Sequence, residues 1–191
     1  GTTFLIHGNI RPFERDQNKD GFMDFPKQEQ LNLMNRWKFD YHNGWIGQIG
    51  LHYVKDNKEG GQTEDYAKSR LEIAPNFNPY LLEIETEKVE VFTKTGYVFP
   101  EYKYRSIGLQ LSANYHNQNS KYGIRNYDAK QRSGYGNLIY QSIIGNTMHQ
   151  FKTGMSYTYD EFDEQLDTLN FKRTERVPGA FFEYTYKPKE T

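Results

Sequence analysis

The segment Asp16-Gln17-Asn18-Lys19-Asp20-Gly21 sets oxygen-bearing side chains at alternate positions and ends on a glycine, the pattern by which a short loop wraps a hard cation such as calcium. Asp24 falls where a ninth-position ligand of such a loop would sit, but Lys27 stands where the bidentate Glu of an EF-hand belongs, so an EF-hand is excluded. Two readings remain. One is a looser Ca2+ loop built on Asp16, Asn18, Asp20 and Asp24, with Glu29 or a neighbouring loop completing the shell. The other is an Asp/Asn/Gly turn that satisfies its own backbone, the commoner use of these residue types.

Other reactive side chains lack a motif. His7, His52 and His116 lie on separate polar stripes and read as lone polar residues. Asp160, Glu161, Asp163 and Glu164 follow one another closely enough to suggest acid-base work, yet such a run is ordinarily a solvated loop. Gly134-Tyr135-Gly136 sits in a strand pattern with no helix after it, so it is not a phosphate loop. Without a positioned nucleophile or base, no enzyme is expected.

The elements that carry these residues are strands. Trp45, Gly47, Ile49, Leu51 and Tyr53 alternate with Ile46, Gln48, Gly50 and His52, while Ile107, Leu109, Leu111, Ala113 and Tyr115 alternate with Gly108, Gln110, Ser112, Asn114 and His116. A repeat of two places one set on each face of a pleated ribbon. Leu31, Leu33, Trp37, Phe39 and Tyr41 oppose Asn32, Arg36, Lys38 and Asp40. Phe151, Met155, Tyr157 and Tyr159 oppose Lys152, Gly154, Ser156 and Thr158. The segment from Val89 to Val98 is ambiguous, because Phe92 shares a face with Glu90 and Lys94. Such segments predict about eight strands of roughly ten residues or more, longer than is usual in soluble sheets.

His42-Asn43-Gly44, Phe99-Pro100-Glu101 and Gly145-Asn146-Thr147 read as short turns, and Lys187–Thr191 as the next one. Long polar connections are expected over 16–28, 55–87, 117–132 and 160–177, so short turns would mark one rim and long loops the other.

Composition narrows the partner. Only 36% of residues are hydrophobic, with 16 Tyr, 13 Phe and 2 Trp, and mean hydropathy is −0.94. Aromatic richness argues against disorder. A net charge of −1 with no basic cluster argues against nucleic acid. No stretch approaches the roughly 20 apolar residues of a membrane helix, and the absence of cysteine excludes disulfides and thiolate metal sites.

The alternation suits a soluble β-sandwich as well as a membrane barrel. Strand length and the aromatics near strand ends, at Trp37, Tyr41, Trp45, Tyr97, Phe99, Tyr104, Tyr184 and Tyr186, favour the barrel, where aromatic girdles meet lipid headgroups. A cationic side chain facing lipid costs about 2–4 kcal/mol, so Arg36 and Lys38 are expected to face a wet lumen with Gln48, His52, Gln110, Asn114 and His116.

Over nearly its whole length the chain resembles the barrels of TonB-dependent outer-membrane receptors of Bacteroidetes type, including those likened to cobalamin and siderophore receptors. The resemblance lies in Asp16–Asp24, Asn35-Arg36-Trp37, Glu59-Gly60-Gly61-Gln62, Lys94-Thr95-Gly96-Tyr97 and Val177-Pro178-Gly179-Ala180-Phe181. It implies that 1–191 is a central part of one barrel domain of the 22-stranded, plugged type, with the plug and the TonB-contacting segment elsewhere. It further implies outer-membrane lipid as a partner, a scarce small-molecule nutrient such as a metal chelate or cobamide, the TonB complex, and a surface lipoprotein as a candidate cap.

The nutrient would be gripped by extracellular loops, for which Tyr66, Phe77 and Tyr80 in the longest connection are the candidates; packing of that loop against its neighbours is the equal alternative. Two further architectures stay open: a small closed eight-stranded barrel acting as an adhesin or structural protein, and the soluble β-sandwich binding module.

Overall fold

Apolar side chains at every second position give a helix no continuous face but give a strand one side to bury, and the chain follows that dictate. In the computed structural model, which describes residues 1–188, one antiparallel sheet runs through eight strands in chain order. They are β1 (Thr2–Arg11), β2 (Lys27–Asp40), β3 (Trp45–Gly61), β4 (Leu81–Val98), β5 (Ser106–Tyr122), β6 (Arg125–Ile144), β7 (Asn146–Leu166) and β8 (Leu169–Tyr186). A single helix, α1 (Glu64–Ile73), lies between β3 and β4. The turn expected over Lys187–Thr191 extends into 189–191, outside the described residues.

Pairing across the sheet keeps the alternating sets in register. Trp37, Ile49, Thr93, Leu111, Gly136 and Tyr157 form one row, and Asn35, Leu51, Val91, Ala113, Gly134 and Tyr159 the row beside it, all on one face. Because paired residues share a face, this apolar side is continuous from β1 to β8. Among the described residues nothing covers it: Ile49, Leu51, Leu109 and Leu111 are 45%, 44%, 39% and 44% exposed, and no hydrophobic side chain is buried.

Two of the alternatives do not survive. A sandwich needs two sheets stacked on an apolar interior, and there is one sheet without an interior. A closed eight-stranded barrel needs β1 against β8, whereas among the described residues β1 pairs with β2 alone and β8 with β7 alone. Gly50, Gly60 and Ser120 on the polar face are buried, as is Ser142 on the other, while the large apolar side chains stay open.

Three of the long connections are corrected. β3 runs on to Gly61 and β4 starts at Leu81, so the longest loop is only 62–80. The stretches 117–132 and 160–177 are hairpins closed at Gly123-Ile124 and Asp167-Thr168, with positive φ at Gly123 (64°) and Asp167 (51°). The physical reason is that both faces turn polar here. Hydropathy then loses its period of two, while the backbone ladder continues on cross-strand charge pairs such as Arg132 with Glu161 (3.7 Å) and Lys172 with Asp163 (2.9 Å). The acidic run 160–164 is therefore strand, not loop.

The ambiguity at Phe92 also resolves. It stands on the polar face directly across from Gly50, and its ring occupies the volume a Cβ on Gly50 would take. A glycine beside an aromatic lets that ring lie flat on a polar wall. Gly50→Val should expel the ring and lower stability by about 1–3 kcal/mol, read as a reduced urea midpoint, and Phe92→Ala in the same chain should recover part of the loss.

Candidate functional site

The polar face and the loop cluster above it hold nearly all the candidate residues. On the face, register brings separate strands together. Lys38, Gln48, Lys94 and Gln110 form one row. Two rows further toward the hairpin tips, His52, Glu90 and Asn114 form another, and beyond it lie His7, Asn32, Lys88 and His116. Arg36 occupies the row between, across from Gly50. Register places Arg36, Lys38, Gln48, His52, Gln110, Asn114 and His116 on one face of the sheet.

The rows differ in how they are satisfied. Toward the hairpin tips, side chains bond one another: His52 Nε2 meets Asn32 Oδ1 at 2.9 Å, Lys88 Nζ lies 3.0 Å from Glu90, and Gln28 donates to Asp56 at 2.8 Å. Ser133 and Gln131 both donate to Asp160. Toward the short turns, the side chains of Arg36, Lys38, Gln48, Lys94 and Gln110 make no hydrogen bond or ion pair among the described residues, and Asn137 Oδ1, in the same row as Lys38, is buried without a partner.

The loop from 12 to 26 closes on itself. Asp16 Oδ2 accepts from the Gly21 N–H at 2.9 Å and Asp16 Oδ1 from the Asp20 N–H at 3.2 Å. Asp20 Oδ1 accepts from the Phe22 N–H at 2.8 Å, Asn18 donates to Asp20 Oδ2 at 2.9 Å, and Asp24 accepts from the Gln17 N–H at 2.8 Å. These bonds are those of the polar-turn reading. Among the described residues no three His, Asp or Glu side chains converge as a metal site.

The turn also has a neighbour. Gly21, at φ 87°, lies under the Tyr66 ring, which fills the space a Cβ would need. The Gly21 carbonyl accepts from the Thr63 N–H at 2.9 Å, and Met23 donates to Gly61 at 2.8 Å. Thr63 caps α1, its hydroxyl accepting from Tyr66 N–H at 3.4 Å. Of the three aromatic candidates, Tyr66 is therefore packing: it covers Gly21, bonds Arg70 Nε at 3.0 Å and meets Phe77 edge-on at 6.5 Å. Tyr80 is 46% exposed and rests against Gly123 of the β5–β6 tip. The loop aromatics thus bind the loop to its neighbours and leave one ring open to solvent.

Glu14 and Lys27 are the residues that sequence reasoning missed. Glu14 accepts from the Glu64 N–H at 3.0 Å, supplying a carboxylate to the first turn of α1, and pairs with Lys27 at 2.9 Å. Burial alone would raise the Glu14 carboxyl, but the Glu64 N–H and Lys27 outweigh it and hold it below its ordinary value. No spacing signal could have found this pair, since Glu14 and Glu64 are joined only by the fold.

No protein-family model, no curated protein and no solved structure matches the chain.

A depressed carboxyl stabilises above its unfolded pKa, and that contribution is lost as pH falls through the lower folded one. The α1 contact should therefore hold at neutral pH and loosen only below the ordinary carboxylate range. Glu14→Gln should remove this pH dependence and speed hydrogen exchange at the Glu64 amide at pH 7; an unchanged exchange rate would show that the contact does not hold α1.

Proposed function

We propose that this chain is a stretch of the wall of an outer-membrane transport barrel, with the apolar face toward lipid and the polar face toward a water-filled lumen. The observation that carries the reading is a one-layer sheet with a continuous apolar side that no other described part of the chain covers. In water such a face would expose far more contiguous apolar surface than soluble proteins carry.

The dimensions support it. From Trp45 to Tyr53 the apolar run of β3 is about 27 Å long, or about 20 Å of height at a tilt of ~40°, near the ~25 Å band of outer-membrane barrels. Aromatic residues bound the band. Trp45 lies 5.1 Å from Tyr97 at the short-turn end, while Tyr53 and Tyr115 flank Val89 in one row at the other. Above that row the outer face carries Lys55, Glu87, Asn117 and Lys130, side chains suited to the headgroup region and water.

The open edges of β1 and β8 present unpaired backbone groups, which lipid does not tolerate. In this reading they continue into further strands, and the wall belongs to a receptor of the TonB-dependent kind that the sequence resembles. Its task would be to bind a scarce small solute at the loop cluster and pass it along the polar face without covalent chemistry.

The only two tryptophans, Trp37 and Trp45, both lie on the apolar face. In vesicles of brominated phospholipid their fluorescence should be strongly quenched, and aqueous iodide should have little effect; the reverse pattern would exclude lipid contact. Leu111→Arg should cost about 2–4 kcal/mol of membrane-folded stability, whereas Asn114→Arg on the other face should leave the urea midpoint nearly unchanged.

A further inference from the structure

On the polar face near the short turns, two glycines stand side by side: Gly96 of β4 pairs with Gly108 of β5. A Cβ on Gly108 would meet nothing closer than the Thr95 carbonyl at 4.0 Å, and one on Gly96 nothing closer than Ile46 at 3.5 Å. The missing side chains leave a hollow of about 260 Å³. Its rim is the adjoining row, Lys38, Gln48, Lys94 and Gln110, and its sides are Ile46 and Ile139 in the glycines' own row.

The rim carries two ammonium groups and two carboxamides and no carboxylate, around a floor that is otherwise mainly apolar. Lys38 and Lys94 flank Gln48, and Gln110 follows, so two ammonium groups and two carboxamides border one depression. None of these four side chains, nor Arg36 in the next row, has a hydrogen-bond or ion-pair partner among the described residues. Of the acidic groups on this face, Glu90 and Glu183 are engaged, and Asp40 stands beyond Ile46 at the end of the glycines' row, outside the lining of the hollow. Glu90 holds Lys88, Glu183 pairs with Lys152 at 3.5 Å, and Asp40, in the glycines' row, makes no ion pair.

Elsewhere on this face some polar side chains, Asn114 and His116 among them, also lack a partner. The ammonium groups of Lys58, Lys88 and Lys152, however, are each paired with a carboxylate, so what sets the rim apart is two lysines without one. Excess positive charge beside donor amides, around a floor that lets a ligand approach the backbone, is the composition of an oxyanion site. We propose that the Gly96–Gly108 hollow binds a carboxylate- or phosphate-bearing solute, held by Lys38 and Lys94 and oriented by Gln48 and Gln110. This rests on the polar face being wet, as in the transport reading, and gives that reading a substrate class: anionic solutes.

The test uses the full-length protein in detergent, titrated calorimetrically with inorganic phosphate and, separately, with citrate. At least one should bind, and which one does names the anionic group. K38Q/K94Q should weaken binding by about tenfold or more, since charge-assisted hydrogen bonds are lost. G108V, which fills the hollow without altering charge at a position where strand geometry accepts valine, should weaken it comparably. Lys130→Gln, on the opposite face, should not.

Absence of binding by both anions, or binding undiminished in both K38Q/K94Q and G108V, would overturn the proposal. Retained heat-modifiable gel mobility confirms that each variant is folded, and either variant alone suffices if the other is not. Tryptophan quenching by brominated lipid reports separately on the lipid-facing reading: quenching without anion binding removes only the site, and anion binding without quenching removes only the membrane.

Discussion

A sheet one layer thick has no inside. Its apolar side chains can leave water only by meeting something outside the chain, and that constraint governs everything else in this molecule. The rows through Ile49 and Leu111 are continuous across the sheet, aligned by register and uncovered. The hydrophobic effect therefore cannot hold the sheet together through a core. What holds it is the antiparallel ladder through all eight strands, together with cross-strand contacts within each face.

The polar face obeys a second division. Toward the hairpin tips several of its side chains satisfy one another, through His52 with Asn32, Lys88 with Glu90, and Asp160 with Ser133 and Gln131. Toward the short turns, cations and amides stand unpaired beside a glycine floor. Under the proposed transport reading, a solute moving along such a wall would pass from carboxylate-paired cations to unpaired ones, which gives the wall a direction.

Much of this was legible in the residue pattern. The strands through Ile49 and Leu111 and the seven shared-face residues follow from a period of two, which survives wherever one face is apolar. It failed where both faces are polar: nothing in the hydropathy of 117–132 or 160–177 distinguishes strand from loop, and the strands there show themselves only as a ladder of charge pairs once register is known. The Glu14–Lys27–Glu64 contact and the Gly96–Gly108 hollow were hidden for the same reason. Both depend on which residues of different strands become neighbours. Tyr66 was legible as an important aromatic, but its partner, a glycine at positive φ in a distant turn, was not.

The hairpins that rise past the apolar band end in tips fastened to one another. Gly123 donates to Leu81 at 2.7 Å, Asp167 donates to Asn126 at 2.8 Å and accepts its N–H at 2.9 Å, and α1 is bonded to the 12–26 turn. A parapet of ribbons has little of the slack that lets surface segments fold over an opening. In the proposed pore wall, a shutter would come from elsewhere than these tips, and the parapet would serve as the fixed frame against which it closes.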